Sequence, residues 1–171
     1  MDVSPSNYEL ISDEYGNQYA EFDLSNHPAG TTKTIEIDYR ITVNELTYDL
    51  SACEGEVPDD FTQPELHIES ANPQIVTLAS KLSRGKKTIC EQARAFYDYM
   101  GEELVYTYNG KNWGAQAALG TMGADCTEYA SLLVALSRSQ GIPARYFEGL
   151  LFLNRETEEK ARLEHAWIDI Y

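Results

Sequence analysis

The sequence has little positive charge and little histidine, no long apolar run, and no cysteine pair at metal-binding spacing. Each absence removes a class of function. Lysine and arginine together number 13 against 28 acidic residues, for a formal net charge of −15 over 171 residues. Such a surface repels a polyanion and no basic stripe offsets it, so nucleic acid is excluded as a partner. No apolar run approaches the roughly 20 residues that cross a bilayer, so no membrane segment is expected. The first residues, MDVSPSNYEL, lack a basic region followed by an apolar one and do not read as a secretory signal. Cys53, Cys90 and Cys126 show no C-x-x-C spacing, which excludes a zinc finger or a thioredoxin-type motif. Neither a Gly-rich phosphate loop nor a run of alternating acidic calcium ligands occurs, so no metal and no other cofactor is expected.

What is present divides in two. Residues 1–62 read as an antiparallel β domain or partial sandwich. Tyr8 to Ser12 and Asn17 to Leu24 flank the turn DEYG, and Ile35, Ile37, Tyr39, Ile41 and Val43 alternate with polar residues, as a strand with one buried face requires. Leu46, Tyr48 and Leu50 continue this alternation with opposite parity. A stretch rich in Glu, Asp, Pro and Gly, Ser51 to Pro64, reads as the linker or as a long loop within one domain. Residues 63–171 form the second part. Asn72-Pro73 opens a helix, and Thr88 with Glu91 forms a capping box that opens another. Cys90, beside the apolar face of that second helix, reads as a buried structural thiol.

The third helix carries the chemistry. In GADCTEYASLLVALSRSQGIPAR, Tyr129, Leu132, Leu133 and Leu136 follow helical spacing, and Gly141 with Pro143 ends the run. Asp125 is a natural N-cap and Glu128 completes a box with it, so Cys126 falls in the first turn. Unpaired N–H groups and the positive end of the helix dipole favour a thiolate there and can receive a developing oxyanion. A candidate base, His165, lies in EHAWIDIY, in a strand expected to face ARYFEGLLF across the connection NRETEEKAR. Imidazole beside a thiol is the pairing that acyl transfer needs, since the ring takes the thiol proton and returns it to the leaving amine.

GADCTEYASLLVAL, RSQGIPAR and HAWIDIY, in that order, resemble the cysteine helix, the turn into a strand and the histidine strand of the transglutaminase-like superfamily, in particular its prokaryotic cysteine protease domains. The resemblance spans about Leu66 to Tyr171. It implies a papain-like α+β fold, helices packed on a small antiparallel sheet, with Cys126 as nucleophile and His165 as base. Relatives carry an aspartate on the strand after the histidine strand, and this chain is expected to stop short of it. Asp169 shares a face with His165 but lies roughly 13 Å along an extended strand, and Glu148 on the neighbouring strand depends on register.

The expected activity is thiol-dependent hydrolysis of a peptide or amide, with a peptide or protein as substrate. Transamidation of protein glutamine uses the same residues, and a non-catalytic binding or scaffold module is the reading from a different class. The compartment is open: a reducing cytosol, or the exterior or cell envelope if Cys53 and Cys90 are bridged. Without a following strand, residues 163 to 171 would form an exposed edge prone to self-association.

Overall fold

The computed structural model describes residues 2–38, 40, 42, 44, 47, 53, 57–58, 60–120, 123–151 and 163–171. The chain forms two compact units, Met1–Thr47 and Tyr48–Tyr171.

The first unit holds two short antiparallel pairs, β1 (Asp2–Ser4) with β4 (Glu36–Asp38) and β2 (Glu9–Ser12) with β3 (Gln18–Glu21). Asp13 ties the hairpin turn together, its carboxylate accepting from the N–H groups of Tyr15 and Asn17 at 2.9 Å each and from the Tyr19 hydroxyl at 3.0 Å. The expected buried face is not found among the described residues of this unit, none of which is buried. Ile37 is half-buried and Ile35 is 39% exposed, because a sheet of two short strands leaves both faces near water. Tyr39, Ile41, Val43, Leu46, Tyr48 and Leu50 lie outside the described residues.

The second unit runs α1 (Pro73–Leu82), α2 (Ile89–Glu103), α3 (Ala115–Ala118), α4 (Cys126–Ser139), β5 (Ala144–Leu151) and β6 (Leu163–Ile170). Capping sets the helix starts. Asn72 accepts from Gln74 N–H at 2.9 Å ahead of Pro73, and Thr88 and Glu91 form the reciprocal box at the start of α2. At its other end α4 closes on Gly141 (φ 74°), where the Ile142 and Gly141 N–H groups bond the Ser137 and Arg138 carbonyls at 3.0 Å. A left-handed residue is needed there, and glycine adopts it without strain.

Spacing alone makes α4 amphipathic; the fold makes it central. It packs against α1, α2, α3, β5 and β6, and every residue from Ala130 to Arg138 is buried. A helix enclosed on all sides must be apolar or internally bonded all round. Accordingly Ser137 Oγ donates to the Leu133 carbonyl at 2.8 Å, and Arg138 Nε donates to the Ala144 carbonyl at 2.9 Å while its Nη1 meets Glu65; the buried Ser131 hydroxyl is the exception, with no partner among the described residues. Leu132, Leu136, Ile75 and Phe96 fill the surrounding core, each contributing about 1.5–3 kcal/mol by burial. β5 and β6 pair antiparallel with Ala144 opposite Ile170 and Gly149 opposite His165. Cys90 is not a free buried thiol. It is bonded to Cys53 across a separation of 37 residues, with the Cα atoms 5.9 Å apart, so position 53 is fastened to the first turn of α2.

Candidate active site

Cys126 is the first residue of α4, half-buried, and the free cysteine among the described residues. Two buried carboxylates frame it. Asp125, 3% exposed, accepts from the Thr127 N–H at 3.0 Å, the Thr127 hydroxyl at 2.8 Å and the Asn109 N–H at 3.0 Å. Burial pushes its pKa up, but the bonds from Asn109 and Thr127 outweigh that and hold the carboxyl below its ordinary value. Glu128, with no exposure at all, accepts from the backbone N–H groups of Asp125 and Trp113 at 3.0 and 2.8 Å, from Asn109 Nδ2 at 3.1 Å and from the Thr127 hydroxyl at 3.1 Å. The Cys126 N–H is not among the donors these carboxylates use.

These bonds join the cysteine turn to residues 105–113. Thr107 N–H reaches the Ala124 carbonyl at 2.8 Å and Ala124 N–H reaches the Val105 carbonyl at 3.2 Å. Gly123 must be glycine twice over: its φ is 78°, and a Cβ there would run into the Thr107 hydroxyl and lie 2.6 Å from the Thr107 Cβ. Asn109, Trp113 and the hub role of Glu128 were not foreseen. The capping-box spacing named Glu128, but nothing local shows that a helix-start glutamate also gathers donors from 15 and 19 residues upstream.

His165 sits on β6 opposite Gly149, half-buried. It and Cys126 border one cavity of about 1250 Å³, with Tyr106, Tyr129, Leu133 and Trp167 in the wall. Tyr106 leans on Tyr129 at 6.2 Å between ring centres, and burial followed by the charges of Cys126 and Asp125 raises its phenol pKa. Within the described residues no hydrogen bond joins the thiol to the imidazole, and no carboxylate bonds the ring. Free enzymes often hold such pairs loosely until substrate closes them. Asp169 stands opposite Arg145, four residues along β6 and four rungs of the ladder from His165. Glu148 stands opposite Ala166, so its side chain is on the other face of the sheet, where it accepts the Tyr146 hydroxyl at 2.6 Å. Burial, and then that bond, raise the Tyr146 pKa well above its usual value.

No group of three or more His, Cys, Asp or Glu side chains placed to hold a metal occurs among the described residues. No helix formed by them is long and apolar enough to cross a membrane.

Known proteins resemble this chain in sequence and in fold. Residues 76–171 match the transglutaminase-like superfamily. The chain is 24% identical over 160 residues to the uncharacterised protein YebA of Bacillus subtilis, covering 78% of this chain and 21% of that protein. It also matches the crystal structure of a protein from Cytophaga hutchinsonii provisionally assigned as a cysteine protease, with a TM-score of 0.54 and 25% identity over 65% of this chain and 37% of that one. The chain thus spans about a fifth of the length of the first and little more than a third of the second. The matched part of the chain shares the α+β fold of that Cytophaga protein, the likenesses support a thiol-dependent enzyme kind, and the chain belongs to the transglutaminase-like superfamily.

Proposed function

We propose that this protein transfers an acyl group from a peptide or amide substrate through Cys126, with water as the usual acceptor. The observation that carries this is the shared cavity, which has a cysteine at the start of a buried helix on one wall and a strand histidine on another. His165 takes the thiol proton and the thiolate attacks the substrate carbonyl carbon. The negative oxygen that forms is stabilised by the start of α4, including the Cys126 N–H. His165 then protonates the leaving amine, the C–N bond breaks, and a thioester remains on Cys126. Water, deprotonated by His165, attacks the thioester to give a carboxylic acid and restore the thiol. An amine in place of water would give transamidation through the same residues.

The apolar side chains along the cavity, Leu133, Tyr129 and Ala130 among them, fit a polypeptide better than a small polar amide. The test is product balance on a glutamine-containing peptide, with and without an added primary amine. Free carboxylate in proportion to ammonia, or to a new peptide amino terminus, supports hydrolysis, amine incorporation supports transamidation, and none of these products leaves the binding-module reading, which an imidazole without a carboxylate partner among the described residues favours.

β6 hydrogen-bonds to β5 along one edge, and no strand covers its other edge among the described residues. We propose that residues 163 to 171 can pair there with a second copy. Concentration-dependent sedimentation is the expected result, and a monomer at every concentration contradicts it.

A further inference from the structure

The outer face of the β5–β6 ladder carries a row of stacked planar groups that ends on His165. Arg145 lies between two rings, its guanidinium carbon 5.3 Å from the Phe61 centroid and 4.8 Å from that of Phe147. Phe147 stacks on Trp167, directly opposite, with centroids 5.8 Å apart and planes 9° from parallel. Trp167 in turn stacks on His165 at 6.4 Å and 22°. The indole reaches the imidazole by leaning across the next rung, which it can do because position 149 has no side chain. A Cβ on Gly149 would lie 2.7 Å from the Trp167 ring. Gly149 has an ordinary φ, so its use here is the room it leaves and not backbone freedom.

We propose that Trp167, seated over Gly149 and backed by Phe147, is the positioning residue for the His165 imidazole. The proposal rests on the reading of His165 as the base. A catalytic imidazole must be held in one orientation and its protonated form stabilised, usually by a hydrogen-bonded acceptor. On the elements that border the ring the charged or titratable groups are Arg145 on β5 and Asp169 on β6, on the face of His165, Glu148 and Glu164 on the opposite face, and, on the cavity wall, Tyr106 and Cys126, with Asp125 and Glu128 beside Cys126 at the start of α4. Among the described residues none of them bonds it. A stacked indole does the first task by other means, fixing the plane of the ring, and at 6.4 Å, at the edge of the usual cation–π reach of about 6 Å, its electron-rich face adds a small preference for the imidazolium over the neutral ring. The thiol proton then moves to His165 more readily and the thiolate–imidazolium pair gains.

The test is the rate of Cys126 alkylation by iodoacetamide as a function of pH, in the wild type and in Trp167→Phe, Trp167→Leu, Gly149→Ala and His165→Ala. A paired thiolate gives a reactive limb below the free-thiol ionisation at about 8.5. Trp167→Phe should keep that limb to within about twofold, since a ring remains. Trp167→Leu and Gly149→Ala should lower it by about 3- to 10-fold and leave the alkaline limb unchanged. An acid limb equal to wild type in both variants overturns the proposal, and so does a uniform loss at every pH, which would make the ring a packing element only. If His165→Ala keeps the acid limb, the thiol–imidazole pair itself is wrong. Loss of the limb in His165→Ala alone defeats only the role of Trp167.

Discussion

Trp113 gives its backbone N–H at 2.8 Å to Glu128, a carboxylate with no solvent exposure two positions beyond Cys126. Asn109 and Asp125 donate to the same group, so one side chain fixes the cysteine turn and the segment before it. Removing Glu128 leaves several buried donors without an acceptor, each costing about 1–3 kcal/mol. Glu128→Ala should therefore lose about 3–5 kcal/mol in urea unfolding. Glu128→Gln, which keeps one acceptor oxygen but presents an amide to the other donors, should lose about 1–3 kcal/mol. Equal and small losses in both variants would show that the hub does not hold the turn.

Asp125 predicts an acid response of definite sign. Its carboxyl is held below the ordinary value in the folded state. A depressed folded pKa adds stability that is present above the unfolded value, about 3.9, and is lost as pH falls through the folded one. Asp125→Asn keeps a good N-cap and removes the charge. The wild type should lose stability more steeply than Asp125→Asn below about pH 4, with the two curves parallel near neutrality. Unfolding followed from neutral to acid pH in both proteins checks this, and parallel curves throughout would refute it.

The Cys53–Cys90 bond closes a loop of 37 residues. Constraining an unfolded chain over that length is worth about 2–4 kcal/mol. Replacing both cysteines by serine should lower the melting temperature accordingly and loosen position 57, which lies with both cysteines along the cavity wall. Protease nicking near residues 53–58 in the double variant, absent from the oxidised wild type, is the local readout. Identical digestion patterns would place the bond outside the stability of this wall.

Much of the core was legible because its signals are local. The capping boxes at Thr88 and Asp125, the glycine stop at Gly141 and the short strand-like segments ARYFEGLLF and HAWIDIY each depend on neighbours within a few residues. These set the starts of α2 and α4 and the two strands of the sheet. The motif order carried the family. Burial all round α4 was not legible, because Tyr129, Leu132, Leu133 and Leu136 suffice for one apolar face, and only tertiary packing shows that Ser131, Ser137 and Arg138 are enclosed too. The same holds for Glu128, whose partners come from a distant loop, and for Trp167, which needs the cross-strand register that puts Gly149 opposite His165. In the first unit Ile35 and Ile37, the described members of that alternation, are exposed and half-buried, since periodicity reports which residues could share a face and not whether anything covers it.

The account stands most directly on acylation of Cys126. Mixing the protein with p-nitrophenyl acetate and following nitrophenolate should give a burst approaching one equivalent, then slower turnover as the thioester hydrolyses. Intact-protein and peptide mass spectrometry of an acid-quenched sample should place the acetyl group on Cys126. Cys126→Ala should abolish the burst, and His165→Ala should slow both acylation and turnover. A burst that survives in Cys126→Ala, or a Cys126 that acylates no faster with His165 than without it, would contradict the thiol–imidazole account.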